Sequence, residues 1–115
     1  MAAYDSIAIV GVGLIGGSIG LAVRERKLAG EIIGIGRRES SLNGALLVGA
    51  IDRGTTDIGE GVANAELVIV CTPVDTITEH VLLAASACRP NALITDAGST
   101  KEAIVATIDS ALASR

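Results

Sequence analysis

Three glycines near the start of the chain have the spacing of a phosphate-binding turn. Gly11, Gly13 and Gly16 form G-x-G-x-x-G directly after a run of aliphatic residues. In such a turn the first glycine permits a tight bend, the second lets a pyrophosphate approach the backbone, and the third lets the helix pack closely on the strand. We therefore predict that this segment binds the phosphates of a nucleotide.

The helix predicted after these glycines begins without a capping side chain. Leu14 and Ile15 occupy its first turn, and neither side chain can accept a hydrogen bond from the backbone N–H groups there. Those N–H groups and the positive end of the helix dipole then form a site for an anion. The predicted pyrophosphate-binding residues are Gly11, Gly13, Leu14, Ile15 and Gly16. A glycine-rich turn that binds no ligand is the alternative interpretation.

Two arginines stand where NAD-binding domains commonly have a carboxylate. An Asp or Glu about twenty residues beyond the glycines usually binds the ribose hydroxyls of NAD. Here the second predicted strand ends in Gly36 and is followed by Arg37 and Arg38. Because a guanidinium group can donate two parallel hydrogen bonds to a phosphate, the pair predicts binding of the 2′-phosphate of NADP. NAD is the alternative cofactor, and a solvated charge pair with Glu39 as partner is the competing interpretation.

Aliphatic runs alternate with helical patterns along the whole chain. The predicted strands lie at about Ser6–Val12, Glu31–Gly36, Thr55–Ile58, Leu67–Cys71 and Ala92–Thr95. Helices are predicted at about Leu14–Lys27 and Leu42–Gly49, and two more begin at Thr72 and at Ser99. Apart from the third strand, Ile51–Gly61 is predicted to be loop. On the helix that begins at Thr72, the predicted core face comprises Val74, Ile77, Val81, Leu82, Ala85 and Cys88, and His80 is predicted to be a surface residue.

This alternation predicts an α/β fold. Continuous aliphatic runs are typical of parallel strands that are buried on both faces. With right-handed crossovers, the order of elements gives a single-domain, doubly wound parallel sheet, the Rossmann fold, with strand order 3-2-1-4-5. The ligand is then expected at the carboxyl ends of strands one and four, where the strand order reverses.

Composition and charge limit the kinds of partner. The 115 residues suffice for one domain, and since Tyr4 is the single aromatic residue, the core must be aliphatic. The net charge of −4 argues against a nucleic-acid partner. No apolar run reaches the length of a membrane span, and no secretory signal precedes the first strand. Cys71 and Cys88 have no metal-binding spacing, so we predict buried, reduced thiols in a cytoplasmic protein without a metal site.

Three segments of the chain carry a family resemblance: Gly11–Gly20, Cys71–Val74 and Thr95–Lys101, of which the last contains the most discriminating motif, D-x-G-S-x-K. Together they resemble the amino-terminal cofactor domain of prephenate and arogenate dehydrogenases. The resemblance covers residues 1–115. Members of this family oxidise prephenate or arogenate with loss of carbon dioxide, in tyrosine biosynthesis, and pass a hydride to NAD(P)⁺.

The resemblance also implies roles for individual residues. The matching glycines would bind pyrophosphate, and Ser99 would be a serine of the active site. The cofactor would be flanked by Cys71, Thr72, Pro73 and Val74. For Ser99 there is a competing interpretation, because Ser99 and Glu102 also form a capping box that needs no substrate.

The family has further parts for which these residues offer no counterpart. Its catalytic histidine, in an H-P context beyond the serine, is followed by a helical domain that binds substrate and forms the dimer interface. We therefore expect the chain to be a fragment that is inactive alone. Prephenate or arogenate would be bound through the missing carboxy-terminal domain, and the full-length enzyme would be a homodimer.

Two alternatives remain from the sequence. The chain could be the cofactor domain of another small-substrate dehydrogenase, of the β-hydroxyacid or imine-reducing kind, but D-x-G-S-x-K favours the first assignment. It could also be a stand-alone nucleotide-sensing regulatory module. Such sensors usually keep an acidic residue at the end of the second strand, and Arg37 argues against that function.

Overall fold

The computed structural model describes residues 4–72, 74–89 and 92–96. Five strands form one parallel sheet in the order β3-β2-β1-β4-β5. The strands are β1 (Tyr4–Val10), β2 (Ala29–Ile35), β3 (Arg53–Thr55), β4 (Leu67–Val70) and β5 (Leu93–Asp96). The helices between them are α1 (Leu14–Glu25), α2 (Glu39–Leu47), α3 (Ile58–Val62) and α4 (Val74–Ala87). The predicted fold class and strand order are confirmed, and the helix predicted from Ser99 lies outside the described residues.

Strand β1 is the centre of the sheet. Its Ile7 is in register with Ile32 of β2 on one side and with Leu67 of β4 on the other. Because helices cover both faces, every residue from Ile7 to Val10 is buried. The chain runs outward from β1 to β3 and then returns to β4, so the strand order reverses between β1 and β4. This reversal brings the carboxyl ends of β1 and β4 side by side.

Each face of the sheet has its own aliphatic core. The face covered by α1 and α2 includes Ile7, Ile9, Ile19, Val23, Leu42 and Ile69. The face covered by α3 and α4 includes Ala8, Val10, Val62, Val68, Val70 and Ala84. Alternate residues of β1 therefore pack against opposite layers, as the period of two in a strand requires. Among the described residues, no helix combines the length and the apolar character needed to cross a membrane.

The segment predicted as loop contains a short helix. The prediction of loop across Ile51–Gly61 is wrong in its second half, where α3 begins, and β3 lies slightly earlier than predicted. Asp57 caps α3, since its side chain accepts a hydrogen bond from the Glu60 backbone N–H at 3.4 Å. Gly61 lets α3 approach the sheet, because a Cβ at that position would lie 2.3 Å from Ile35 Cγ1.

Helix α4 is rotated relative to the predicted core face. Ala84 is fully buried, whereas Leu82 is 66% exposed and Ala85 is also exposed, so these two predictions are wrong. Val81 and Cys88 are partly buried against the sheet, as predicted. The sequence from Val81 to Ala85 is apolar on every side of the helix, so the pattern fits more than one face. The small side chain of Ala84 lets α4 lie close to the sheet, so the face of α4 that contains Ala84 is the one that packs against it.

An ion pair ties α1 to the segment before β3. Arg24 Nη2 donates to Asp52 Oδ1 at 2.6 Å, and Arg24 Nε donates to the Gly49 carbonyl. Asp52 Oδ2 accepts the Ile32 backbone N–H at 2.7 Å. Burial alone would raise the pKa of the Asp52 carboxyl, but the hydrogen bonds from Arg24 and Ile32 and the Arg24 charge outweigh it. The pKa therefore lies below its ordinary value.

We expect Asp52→Asn to lower the free energy of unfolding at pH 7 by about 1 kcal/mol, since the pair is partly solvated. The pKa of Asp52 is lower in the folded state than in the unfolded chain. Its contribution to stability is therefore complete above about pH 4 and is lost as the pH falls through the folded-state pKa. Urea denaturation of both proteins at pH 7 and pH 3 measures this. Equal stability at pH 7 would contradict the prediction.

Candidate nucleotide-binding site

Backbone hydrogen bonds join the turn after β1 to the end of β2, and the turn after β4 to the end of β1. The Gly11 N–H donates to the Ile35 carbonyl at 2.6 Å, and the Cys71 N–H donates to the Val10 carbonyl at 2.7 Å. Residues that are far apart in sequence therefore meet at one edge of the sheet. This edge is the position at which open α/β sheets bind ligands, outside the carboxyl ends of the strands where the order reverses.

Gly11 is required by the backbone of the turn. Its φ angle is +93°, a conformation that residues with a Cβ rarely adopt. A Cβ there would also lie 3.0 Å from Thr72 Cγ2 and 3.1 Å from the Cys71 carbonyl carbon. Conformation and space both demand glycine, as expected for the first glycine of the motif.

Gly16 is required by the packing of α1. A Cβ at this position would lie only 1.9 Å from the Gly11 carbonyl oxygen and 3.3 Å from Ile9 Cγ2. The first turn of the helix therefore rests directly on the glycine turn and on the central strand. This is the close helix–strand contact expected of the third glycine.

Gly13 differs from Gly11 and Gly16 because the fold does not require a glycine at this position. It is the N-cap of α1, with φ at −68°, and a Cβ built there would meet no described atom within 4 Å. No side chain caps α1, and its first turn, which begins with Leu14 and Ile15, contains no acidic residue. The N-terminus of α1 thus offers free N–H donors beside open space, which suits an anion.

Arg37 and Arg38 lie in the short connection between β2 and α2. Both residues are exposed, and neither guanidinium forms an ion pair or hydrogen bond with any residue that the structure describes. Among the described residues Glu39 is not their partner, although both charges are solvated, as the competing interpretation also expects. Gly36 precedes them, and its N–H donates to the Thr55 carbonyl at 3.1 Å. Two unpaired cations therefore stand at the β2 end of the site.

The turn after β4 contains Cys71 and Thr72, both partly buried. Burial raises the pKa of the Cys71 thiol to about 12, so this group stays protonated and is a poor nucleophile near neutral pH. Cys71 and Cys88 are both free thiols, less deeply buried than predicted. Val74 is the first residue of α4, while Pro73 and Ser99 lie outside the described residues.

The contact between His80 and Thr72 was not predicted from the sequence. His80 was expected on the surface, but its side chain is partly buried and its Nδ1 lies 2.8 Å from Thr72 Oγ1. His80 lies one turn before the buried Ala84, on the same face of α4. The four-residue spacing between His80 and Ala84 could have indicated that His80 is partly buried. It does so only when the face of α4 that packs against the sheet is already known.

A parallel sheet in this order, with a glycine turn at the point of reversal, defines a nucleotide-binding domain of the Rossmann class. The chain belongs to the family described as "Prephenate dehydrogenase, nucleotide-binding domain", whose family model matches residues 19–115. The predicted resemblance is therefore confirmed.

Individual relatives agree with this assignment. The prephenate dehydrogenase of Bacillus subtilis is 41% identical over 112 residues, which are 96% of this chain and 30% of that protein. The crystal structure of Synechocystis arogenate dehydrogenase is 31% identical with a TM-score of 0.74, over 93% of this chain and 37% of that one. Prephenate dehydrogenase from A. aeolicus, solved with hydroxyphenyl propionate and NAD⁺, is 31% identical with a TM-score of 0.75, over 94% of this chain and 38% of that one. The chain thus spans about a third of the length of these relatives.

Proposed function

We propose that this chain is the cofactor-binding domain of a prephenate or arogenate dehydrogenase. In this proposal the domain binds the dinucleotide that accepts a hydride during the oxidative decarboxylation of the substrate, in tyrosine biosynthesis. The observation that carries it is the open space over Gly13 beside the uncapped N-terminus of α1. Two of the relatives support the substrate class, since they are a prephenate and an arogenate dehydrogenase.

We also propose where the remaining functions lie. The substrate contacts and the contacts of a homodimer would be in the part of the longer relatives that this chain does not span, and the enzyme would be cytoplasmic. Ser99 would present its hydroxyl to the active site while also capping the following helix. The cofactor would be flanked by Cys71, Thr72, Pro73 and Val74. Placement of Cys71 and Thr72 beside Gly11 is consistent with that role.

Gly13→Ala tests whether the open space receives a ligand. A methyl group there meets no described atom, so the cost in stability comes from the N-cap position, where alanine is clearly less favourable than glycine. We therefore expect the free energy of unfolding to fall by no more than about 1 kcal/mol. The methyl group would nevertheless obstruct a pyrophosphate, and losing one charge-assisted hydrogen bond should weaken dinucleotide binding by about tenfold or more. Isothermal titration calorimetry and urea denaturation provide the two measurements.

Gly44→Ala is the matched control for that variant. A Cβ at Gly44 also meets no described atom within 4 Å, but Gly44 lies within α2, which contains none of the predicted cofactor-binding residues. We expect this variant to bind the cofactor like the unmodified protein. If Gly13→Ala bound the dinucleotide as tightly as Gly44→Ala, the open space would not be the pyrophosphate site.

We propose that the cofactor is NADP rather than NAD. Support comes from the exposed Arg37 and Arg38, which pair with no described residue, and from the absence of a carboxylate at the end of β2. The relative from A. aeolicus was solved with NAD⁺ and gives no support for NADP. The proposed preference for NADP therefore depends on Arg37 and Arg38 of this chain. Calorimetric titration with NADP⁺ and NAD⁺ tests it directly, and equal affinities would contradict it.

A further inference from the structure

The Thr72 side chain is held from two directions. Its methyl group lies against Gly11, so that a Cβ on that glycine would be 3.0 Å from Thr72 Cγ2. Its hydroxyl forms a hydrogen bond of 2.8 Å with His80 Nδ1. One contact belongs to the glycine turn after β1 and the other to helix α4. The Thr72 side chain therefore links the two elements that flank the point where the strand order reverses.

The contact with His80 determines which way Thr72 turns. The three staggered rotamers of a threonine side chain direct its hydroxyl and methyl groups differently, and a single one of them is observed here. With His80 present, the rotamer that directs the hydroxyl to α4 also directs the methyl to Gly11. Without this hydrogen bond, no contact described in the structure holds the hydroxyl toward α4, and rotation about the Cα–Cβ bond would move the methyl group away from Gly11. The Thr72 side chain, which lies beside the glycine turn, would then adopt more than one conformation.

We propose that His80 is a positioning residue of the nucleotide site, acting through Thr72. This inference rests on the proposed function, because it takes the glycine turn as the pyrophosphate site. Strand order decides which half of the dinucleotide is affected. Arg37 follows β2 on one side of β1, and Thr72 follows β4 on the other side. The adenosine half lies on the β2 side, so His80 acts on the nicotinamide half, which lies on the β4 side.

The test compares a whole dinucleotide with its adenosine half. The 115-residue chain is titrated with NADP⁺ and NAD⁺, and whichever binds more tightly is paired with adenosine 2′,5′-bisphosphate or AMP respectively. We expect His80→Leu to weaken dinucleotide binding about threefold to tenfold, the effect of one hydrogen bond. Binding of the adenosine half should change by less than about twofold. A variant that merely destabilised the fold would weaken both ligands alike.

Two further substitutions separate the hydrogen bond from the bulk of the side chain. The amide of His80→Asn lies where Nδ1 lies in histidine, and it can either donate to or accept from the Thr72 hydroxyl. We expect Asn to restore most of the dinucleotide affinity. His80→Gln places its amide where Nε2 lies and should restore much less. If Leu, Asn and Gln all bound the dinucleotide like the unmodified chain, the inference would be overturned.

Thr72→Val provides an independent route if the His80 variants fold poorly. Valine keeps the methyl contact with Gly11 and removes the hydroxyl. Because both substitutions remove the same hydrogen bond, the double variant Thr72→Val, His80→Leu should lose no more affinity than either single variant. Additive losses would overturn the inference. If the unmodified chain bound neither dinucleotide, the proposed function would fail and this inference with it. Normal binding that was indifferent to His80 would overturn the inference alone.

Discussion

Replacing Gly16 by alanine should lower the free energy of unfolding by more than about 3 kcal/mol, or prevent folding. The added Cβ would lie 1.9 Å from the Gly11 carbonyl oxygen, far inside van der Waals contact. That oxygen belongs to the backbone of a turn fixed by a positive φ angle, so it cannot rotate away as a side chain could. Ile9, on the other side of the contact, is buried in the central strand. Overpacking among core side chains typically costs about 1–3 kcal/mol, and here the cost is expected to exceed that range because the clash is with a backbone atom.

Helix propensity favours alanine over glycine and therefore opposes the destabilisation expected for Gly16→Ala. The neighbouring Gly17 provides a control in which this propensity acts without the clash. Alanine is favoured over glycine inside a helix by about 1 kcal/mol. At Gly17, the next residue of α1, the nearest atom to an added Cβ is the Val12 carbonyl oxygen at 3.9 Å. Gly17→Ala should therefore leave stability unchanged or raise it slightly. Urea denaturation followed by circular dichroism compares the two variants, and a Gly16→Ala protein as stable as Gly17→Ala would refute the steric argument.

The contrast between these neighbours shows why the fold could be predicted from sequence. Spacing alone distinguishes Gly16 from Gly17, because the motif assigns close helix packing to its third glycine and the structure has that contact at Gly16. Strand order followed in the same way, since aliphatic runs identify buried parallel strands and right-handed crossovers limit their arrangement. These are local patterns combined with one general rule of chirality.

The features that were missed depend on contacts between distant parts of the chain. Helix α3 has only five residues, two of them glycine, and its packing against Ile35 leaves no periodic signal. Leu82 and Ala84 are both apolar, so only the approach of α4 to the sheet decides which of them is buried. The hydrogen bond between His80 and Thr72 depends on that same choice of face. The spacing of the glycines could therefore locate the turn, but helical periodicity could not identify the contact between His80 and Thr72.

Replacing Arg37 by alanine should weaken NADP⁺ binding by about 10-fold to 100-fold and leave NAD⁺ binding nearly unchanged. The guanidinium group is exposed and pairs with no described residue, so its removal disturbs no contact seen in the fold. Its loss would remove charge-assisted hydrogen bonds to a 2′-phosphate, each contributing about 1.5–3 kcal/mol. Arg37→Lys keeps the charge but not the planar fork, and it should show an intermediate loss.

Arg53→Ala is the matched control for the removal of a positive charge. Arg53 is also exposed, but its Nε pairs with Glu31 Oε2 at 3.3 Å, and it lies at the start of β3, away from the carboxyl ends of the strands. We expect this variant to bind both cofactors like the unmodified chain. If Arg37→Ala and Arg53→Ala weakened NADP⁺ binding equally, the preference for NADP⁺ over NAD⁺ would depend on overall charge and not on a contact with the 2′-phosphate.

Gly36→Asp adds a negative charge at the end of β2, next to Arg37. A Cβ at Gly36 would lie 3.3 Å from Leu42 Cδ2 and 3.4 Å from Val12 Cγ2, contacts that a small shift of these side chains relieves. The new carboxylate would stand where such domains bind the ribose hydroxyls, and it would repel a 2′-phosphate. We therefore expect NADP⁺ affinity to fall and NAD⁺ affinity to hold or rise, so that Gly36→Asp combined with Arg37→Ala reverses the preference. If calorimetry showed that the double variant still bound NADP⁺ more tightly than NAD⁺, the end of β2 would not select the cofactor.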